Sequence, residues 1–304
     1  SRATEQPAGG VAYVAEIVIT EFMDQAGVDA LAGFDVLYDP QLVDRPDALA
    51  AALADCRGLI VRNRTQVRPP LLAQAPRLRV LGRLGVGLDN IDLGACAARA
   101  IPVLPAAGTN DETVAEYVFG AMFAMLRNGA FHATEDVLAG KWPRTRVIGR
   151  DALGLTIGLV GFGLIARRVA ARARAFGMRV LASDPFVAGD DPAWAELGVG
   201  RREFAAMIAE VDVLSVHVPL TPATRGLVGA STLAAMRPGG SVINTARGGV
   251  VDEAALAQAL RSGHLAGAAL DVVESEPLPA GSLFVGVPNL ILSPHVAGVT
   301  RDAN

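Results

Sequence analysis

The chain has 304 residues, 51% of them apolar, and a formal net charge of −4. That length suits two domains with a core each, while the acidic balance and the lack of any basic run argue against nucleic acid or an anionic membrane surface as partner. Its two cysteines, Cys56 and Cys96, have no nearby pair of histidines, so neither a disulfide framework nor a metal site is expected.

The chain opens at Ser1 without Met, and its first stretch lacks the basic start and apolar run of a secretory signal. Short apolar runs that read as strands follow at Glu16–Ile19, Phe34–Tyr38, Gly58–Val61, Arg79–Arg83 and Pro102–Leu104, with Ala/Leu-rich helical stretches such as Pro46–Ala54 between them. Alternation of this kind gives a parallel sheet covered on both faces. Arg62 and Arg64 stand at the end of the third run and read either as a cationic pocket for a second anion on a substrate or as a solvated surface pair. After the fourth run, Gly85 and Gly87 release the backbone amides of Val86 and Gly87 to face an anion, and a substrate carboxylate is the expected tenant.

Asn110-Asp-Glu-Thr opens a long helix to about Asn128, acidic at its start as the helix dipole favours. It is apolar nearly all round, so it reads as buried at a domain or subunit interface. Its run Tyr117 to Leu126 is too short to span a bilayer, and the protein is expected in the cytoplasm. A second alternation begins at Leu155, with strands at Thr156–Val160, Arg179–Ser183, Val213–His217, Ser241–Asn244, Ala266–Asp271 and Leu290–Leu292. Six strands make a complete dinucleotide fold. The expected organisation is therefore α/β, with two doubly wound parallel-sheet domains. One is a flavodoxin-like substrate domain, residues 1–107 with 293–304 returning to it. The other is a Rossmann cofactor domain, residues 108–292.

Gly161-Phe-Gly163-Leu164-Ile165-Ala166 follows the first strand of that second set and opens a helix. The first glycine makes the tight turn, the second lets backbone approach a pyrophosphate, and the small third residue packs helix on strand. Asp184 ends the next strand, 23 residues after Gly161, where its carboxylate can take both hydroxyls of an adenosine ribose. No arginine in Ser183-Asp-Pro-Phe186 offers a partner for a 2′-phosphate, so the expected cofactor is NAD.

Three residues near the C-terminus complete the reading. Arg247 in INTARGGVVDE, Glu276 in ALDVVESEP and His295 in SPHVAG each follow a strand-like run, and strand C-terminal ends converge on one crevice in such folds. Arginine holds a carboxylate bidentately, and a carboxylate-paired histidine moves a proton near neutral pH. That equipment reduces a 2-keto acid or oxidises a 2-hydroxy acid. Of the other histidines, His217 reads as cofactor-side or structural, and His132 and His264 as surface residues; Asp271 is placed either at a nicotinamide amide or against Arg247.

In this order the motifs resemble the D-2-hydroxyacid dehydrogenase family, phosphoglycerate dehydrogenase-like over nearly the whole chain. The resemblance rests also on Leu81-Gly-Arg-Leu-Gly-Val-Gly-Leu-Asp-Asn90, on His217-Val-Pro-Leu-Thr-Pro-Ala-Thr224, and on Asn244 to Glu253. It implies an active-site cleft between two domains and hydride transfer between NAD and C2 of a small hydroxy acid. Arg247 would bind the carboxylate and polarise the carbonyl, and Glu276 would partner His295, the general acid–base. It carries further cofactor contacts onto Leu164, Ile165, His217, Val218, Pro219, Thr224, Thr245, Ala246, Asp271 and Gly298. It also implies a homodimer joined through the cofactor domain, with Trp142 in its interface loop.

The pair VRNRTQV and the early EFMD look more like the sulfolactate dehydrogenase branch, which implies sulfolactate or 3-phosphoglycerate as substrate. The rivals are a glyoxylate or hydroxypyruvate reductase, and a non-catalytic NAD-sensing protein like the corepressors of this fold. The family's C-terminal helix does not follow Asn304, and both ends read as truncated.

Overall fold

The computed structural model describes residues 15–106 and 108–300, so the readings made on Ser1 and Asn304 lie outside the described residues. Two compact units meet between Thr109 and Asn110, the second running from Asn110 to Thr300. In the first unit the strands are β1 (Ile17–Ile19), β2 (Val36–Tyr38), β3 (Gly58–Val61), β4 (Val80–Arg83) and β5 (Val103–Pro105). They form one sheet in the order β2-β1-β3-β4-β5, every pairing parallel. The order reverses between β1 and β3, and crevices outside strand C-terminal ends at such a point are where α/β sheets bind ligands. Helices Pro46–Leu53, Pro69–Gln74 and Leu93–Ala98 supply the connections and bury Leu49, Leu53, Leu72 and Cys96. Cys56 joins Cys96 in the same core, and both thiols are free. Burial, aided by the charge of Asp55, pushes the Cys56 thiol up to about 11.

The second unit holds β6 (Thr156–Val160), β7 (Arg179–Ser183), β8 (Val199–Arg201), β9 (Val213–Val216), β10 (Gly240–Asn244), β11 (Leu265–Leu270) and β12 (Leu290–Leu292). Their order is β12-β11-β10-β9-β6-β7-β8, again parallel throughout. From β6 outward in both directions this is the dinucleotide-binding order, extended by β12. The expected set of six lacked β8, a three-residue edge strand with Gly200 at its centre and too short to show a period.

Strand alternation divides this unit's apolar residues between the two faces of its sheet. Ile157, Leu159, Val180, Ala182 and Val213 pack in one cluster with helices Asp111–Leu126 and Leu164–Ala175; Val160, Leu181, Leu214 and Val216 pack in the other. The long helix Asp111–Leu126 is thus core of the second unit, and Arg168 of the neighbouring helix pairs with Asp111 at 3.0 Å. Asn110, expected to cap it, makes no side-chain capping bond. The segment after β12 also stays with this unit as far as Thr300, because its backbone is tied to Asp271. Among the described residues, no helix is long and apolar enough to cross a membrane, and no cluster of His, Cys, Asp or Glu is arranged to hold a metal.

Candidate active site

The Gly-rich loop follows β6, whose five residues are all buried. Gly161 has φ +91°, and a Cβ there would stand 2.7 Å from the His217 carbonyl oxygen. Only glycine allows the end of β6 and the end of β9 to come this close. Phe162 turns inward and stacks on Trp194, ring centroids 4.2 Å apart. Gly163 is the N-cap of Leu164–Ala175; no side chain caps that helix, and the space a Cβ would take at Gly163 is open to 4 Å. An uncapped helix start with open space before it suits a phosphate.

Asp184 binds this loop from the next strand. Phe162 N–H donates to its Oδ2 and Phe186 N–H to its Oδ1, each at 2.8 Å. Each oxygen keeps a second acceptor site for a ribose hydroxyl. Past β10, the buried Thr245 Oγ1 has no hydrogen-bond partner among the described residues, as expected of a group whose partner is a ligand. These observations fit a dinucleotide.

His217 sits at the end of β9, its Nε2 2.9 Å from Ser215 Oγ. Burial pushes it down to about 4, so the ring is neutral at physiological pH. Thr224, expected at the cofactor, uses its hydroxyl locally: it donates to the Pro219 carbonyl at 2.6 Å and accepts from Thr221 N–H at 2.8 Å. Val218 lies against the Gly161 turn, its Cγ1 2.9 Å from where a Cβ at Gly161 would stand. At Gly298 a Cβ would come within 2.5 Å of Asn110 Nδ2.

Arg247, Glu276 and His295 come from three loops of the second unit. The Arg247 turn is set by buried Asn244, whose Oδ1 accepts from Ala246 N–H at 3.0 Å and whose Nδ2 donates to Arg247 O at 2.9 Å. Gly248 then brings the turn against the next loop: a Cβ there would lie 2.0 Å from Val273 O. His295 Nδ1 is 2.8 Å from Glu276 Oε2, and Val273 N–H donates to Glu276 Oε1 at 3.2 Å. Burial alone would push the Glu276 carboxyl up. The bond to His295, its charge, the Val273 amide and the charge of Arg247 outweigh it and hold the carboxyl below its usual range. Glu276 and His295 are thus joined by a hydrogen bond, and the charge of Arg247 acts on the same carboxyl.

His295 itself stands at φ +57°, a conformation disfavoured for a residue with a Cβ. Asp271 imposes it. His295 N–H donates to the Asp271 carbonyl at 2.8 Å; Ser293 Oγ and Val296 N–H donate to Oδ1 at 2.6 and 2.9 Å; Ala297 N–H donates to Oδ2 at 2.8 Å. Sequence reasoning placed Asp271 at a nicotinamide amide or against Arg247; its side chain instead builds the turn that carries the histidine.

In the first unit, Arg62 donates to the Phe22 carbonyl at 3.3 Å. Arg64 makes a two-pronged pair with Asp44, which sequence reasoning did not foresee. Val86 is exposed and Gly87 half-buried in the turn after β4.

Residues 119–297 match the family model described as the D-isomer specific 2-hydroxyacid dehydrogenase NAD binding domain. The chain is 52% identical to the (S)-sulfolactate dehydrogenase of Chromohalobacter salexigens over 292 residues, 96% of this chain and 94% of that protein. It is 40% identical to the D-3-phosphoglycerate dehydrogenase of Mycobacterium leprae over 94% of this chain, which spans about half (53%) of that longer protein. Among solved structures, the Aquifex aeolicus D-lactate dehydrogenase complexed with NAD and lactic acid superposes with a TM-score of 0.83 at 28% identity, covering 94% of this chain and 90% of that one.

Proposed function

The chain belongs to the D-isomer specific 2-hydroxyacid dehydrogenases, and on that premise we propose that it oxidises a short 2-hydroxy acid carrying a second anionic group, of which sulfolactate is the leading example. It is an NAD-dependent oxidoreductase. The observation that carries the chemistry is the Glu276–His295 pair at 2.8 Å, braced by Asp271. Because Nδ1 faces the carboxylate, it bears the proton in the neutral ring, and Nε2 is left as acceptor for the substrate hydroxyl. NAD, when bound, supplies the hydride acceptor, held by the Gly161–Gly163 turn, Asp184 and Thr245. Arg247 orients the substrate carboxylate. In the reverse direction the protonated ring returns the proton to the keto oxygen.

The substrate reading draws on the similarity to a sulfolactate dehydrogenase and on two arginines in one loop; the Val86 and Gly87 amides are proposed to join them in anion binding. Arg64 must release Asp44 to meet a sulfonate. Both partners are more than half exposed, and exposed pairs are worth no more than about 1 kcal/mol, so the exchange is cheap. NAD reduction with sulfolactate, 3-phosphoglycerate, malate, glycerate and lactate should put the doubly anionic acids first in kcat/KM. Arg64→Ala should raise their KM roughly 3–10-fold, the loss of one exposed charge contact, and spare lactate. Should lactate or glycerate lead, or the substitution change nothing, the second-anion reading fails.

The protein is further proposed to act as a homodimer through its second unit. Phe131, Leu138, Trp142, Ile148 and Leu153 are all exposed there, Leu138 at 76% and Trp142 at 72%, and large apolar side chains left at the surface in number suit an association site. Light scattering should give twice the 31.4 kDa chain mass, falling to one chain in Leu138→Asp with Trp142→Asp. A monomeric wild type would remove the proposal.

A further inference from the structure

The loop after β3 is built around a single buried carboxylate. Glu21, which follows β1 and is 4% exposed, accepts all four successive backbone amides of residues 62–65. Arg62 N–H and Thr65 N–H donate to Oε1 at 3.0 and 2.9 Å; Asn63 N–H and Arg64 N–H donate to Oε2 at 3.2 and 2.9 Å. The hydroxyls of Thr20 and Thr65, 2.8 Å apart, add a further tie between the same two segments. From the other side buried Asn90, in the Gly-rich loop after β4, donates through Nδ2 to the carbonyls of Arg62 and Thr65 at 3.2 and 2.8 Å. The loop's amides and two of its carbonyls are thus fixed at once, and the Gly85–Asn90 turn is joined to it.

A buried carboxylate is an expensive way to hold a surface loop, tolerable here because four amides replace its water. Burial pushes Glu21 up, but the amides of Thr65, Arg64 and Arg62 with the Thr65 hydroxyl more than reverse it and keep the group ionised. Its place is also informative. β1 and β3 are the neighbours at which the strand order of this sheet reverses, and Glu21 and residues 62–65 both lie just beyond their C-terminal ends. That is where a doubly wound sheet presents a ligand site. Arg62 and Arg64 have long, flexible side chains, and they can select an anion only if the backbone beneath them is fixed.

We infer that Glu21 is a positioning residue for substrate selection: it sets the backbone of residues 62–65 so that Arg62 and Arg64 meet the acid's second anion in a fixed geometry. The inference deepens the substrate reading above and rests on it. Glu21 touches neither the acid nor the reacting atoms. Whichever way its amide is turned, Glu21→Gln sets an NH2 group against two backbone N–H donors, so the frame must open.

The test is the steady-state kinetics of Glu21→Gln and Glu21→Asp, with amide hydrogen exchange read by mass spectrometry. With sulfolactate, Glu21→Gln should raise KM about tenfold or more, the effect of losing roughly 1.4 kcal/mol of binding, while KM for lactate stays within about twofold. It should leave kcat at saturation and KM for NAD within about twofold, since those belong to other groups. Exchange at residues 62–65 should quicken, and Glu21→Asp, one methylene shorter but still charged, should fall between. Unchanged KM for the acid in a folded variant overturns the inference. So does a parallel rise in KM for NAD, the mark of general destabilisation. If Glu21→Gln does not fold, Glu21→Asp must show the same split between the two KM values or the inference falls. The wild-type ratio of sulfolactate to lactate turnover judges the substrate reading first: a ratio favouring lactate ends both, whereas a ratio favouring sulfolactate with unchanged KM in Glu21→Gln ends this inference alone.

Discussion

Replacing His295 with asparagine is expected to lower kcat by roughly 10²–10⁴-fold, the range for removal of a general acid–base. Asparagine can still hydrogen-bond Glu276, but it has no nitrogen able to take a proton from the substrate hydroxyl. NADH affinity, followed by its fluorescence, should stay within about twofold because the dinucleotide residues lie on other loops. A variant that keeps more than a tenth of wild-type kcat would place the proton acceptor elsewhere.

The same pair predicts the acid side of the pH profile. Glu276 is held below its ordinary value, so what its ionised form contributes is complete above the usual carboxylate range, about 4.3. It is lost only as pH falls through the lowered value. The acid loss of the Glu276 contribution, read by denaturation across an acid series, should therefore lie below the ordinary carboxylate range.

Asp271→Ala should damage both stability and turnover. It strips acceptors from the Ser293 hydroxyl and from the Val296 and Ala297 amides. Ala297 is buried, and a buried donor left without a partner costs about 1–3 kcal/mol; with smaller losses at the less buried Ser293 and Val296, a total of about 3 kcal/mol is expected. Released from the carboxylate, the turn need no longer keep His295 at positive φ, and kcat should fall on the order of 10–100-fold through misplacement alone. Chemical denaturation and steady-state kinetics measure the two effects. A variant with wild-type values in both would mean that the Asp271 carboxylate is dispensable to the turn.

The strands that carry chemistry were legible because they are buried, apolar and punctuated by glycine or charge. TIGLV before Gly161 and GSVIN before Arg247 are each buried along their full length. The Glu276–His295 pair was legible for a related reason, since each residue closes a distinct local pattern. What the sequence left hidden are contacts between segments far apart in the chain. EFMD resembles the sulfolactate dehydrogenase branch, but nothing in it shows that Glu21 gathers the amides of residues 62–65, more than 40 positions on. Asp271 looked like a ligand contact because nothing local says that it faces Ser293 to Ala297. Asp44 gives no sign of holding Arg64. The edge strand β8 is hidden for want of length, and nothing local in the segment after β12 shows that the Val296 and Ala297 amides reach Asp271.

The distribution of sulfur gives the protein a built-in clock. The chain has two cysteines, and both thiols lie in the core of the first unit with none in the second. A reagent that attacks thiolates finds neither at the surface, and Cys56 is further protected by its raised ionisation point. Whatever labelling occurs in native buffer must wait for the first unit to open. Its rate therefore times the excursions of the unit that carries the two arginines, with no background from the dinucleotide-binding half.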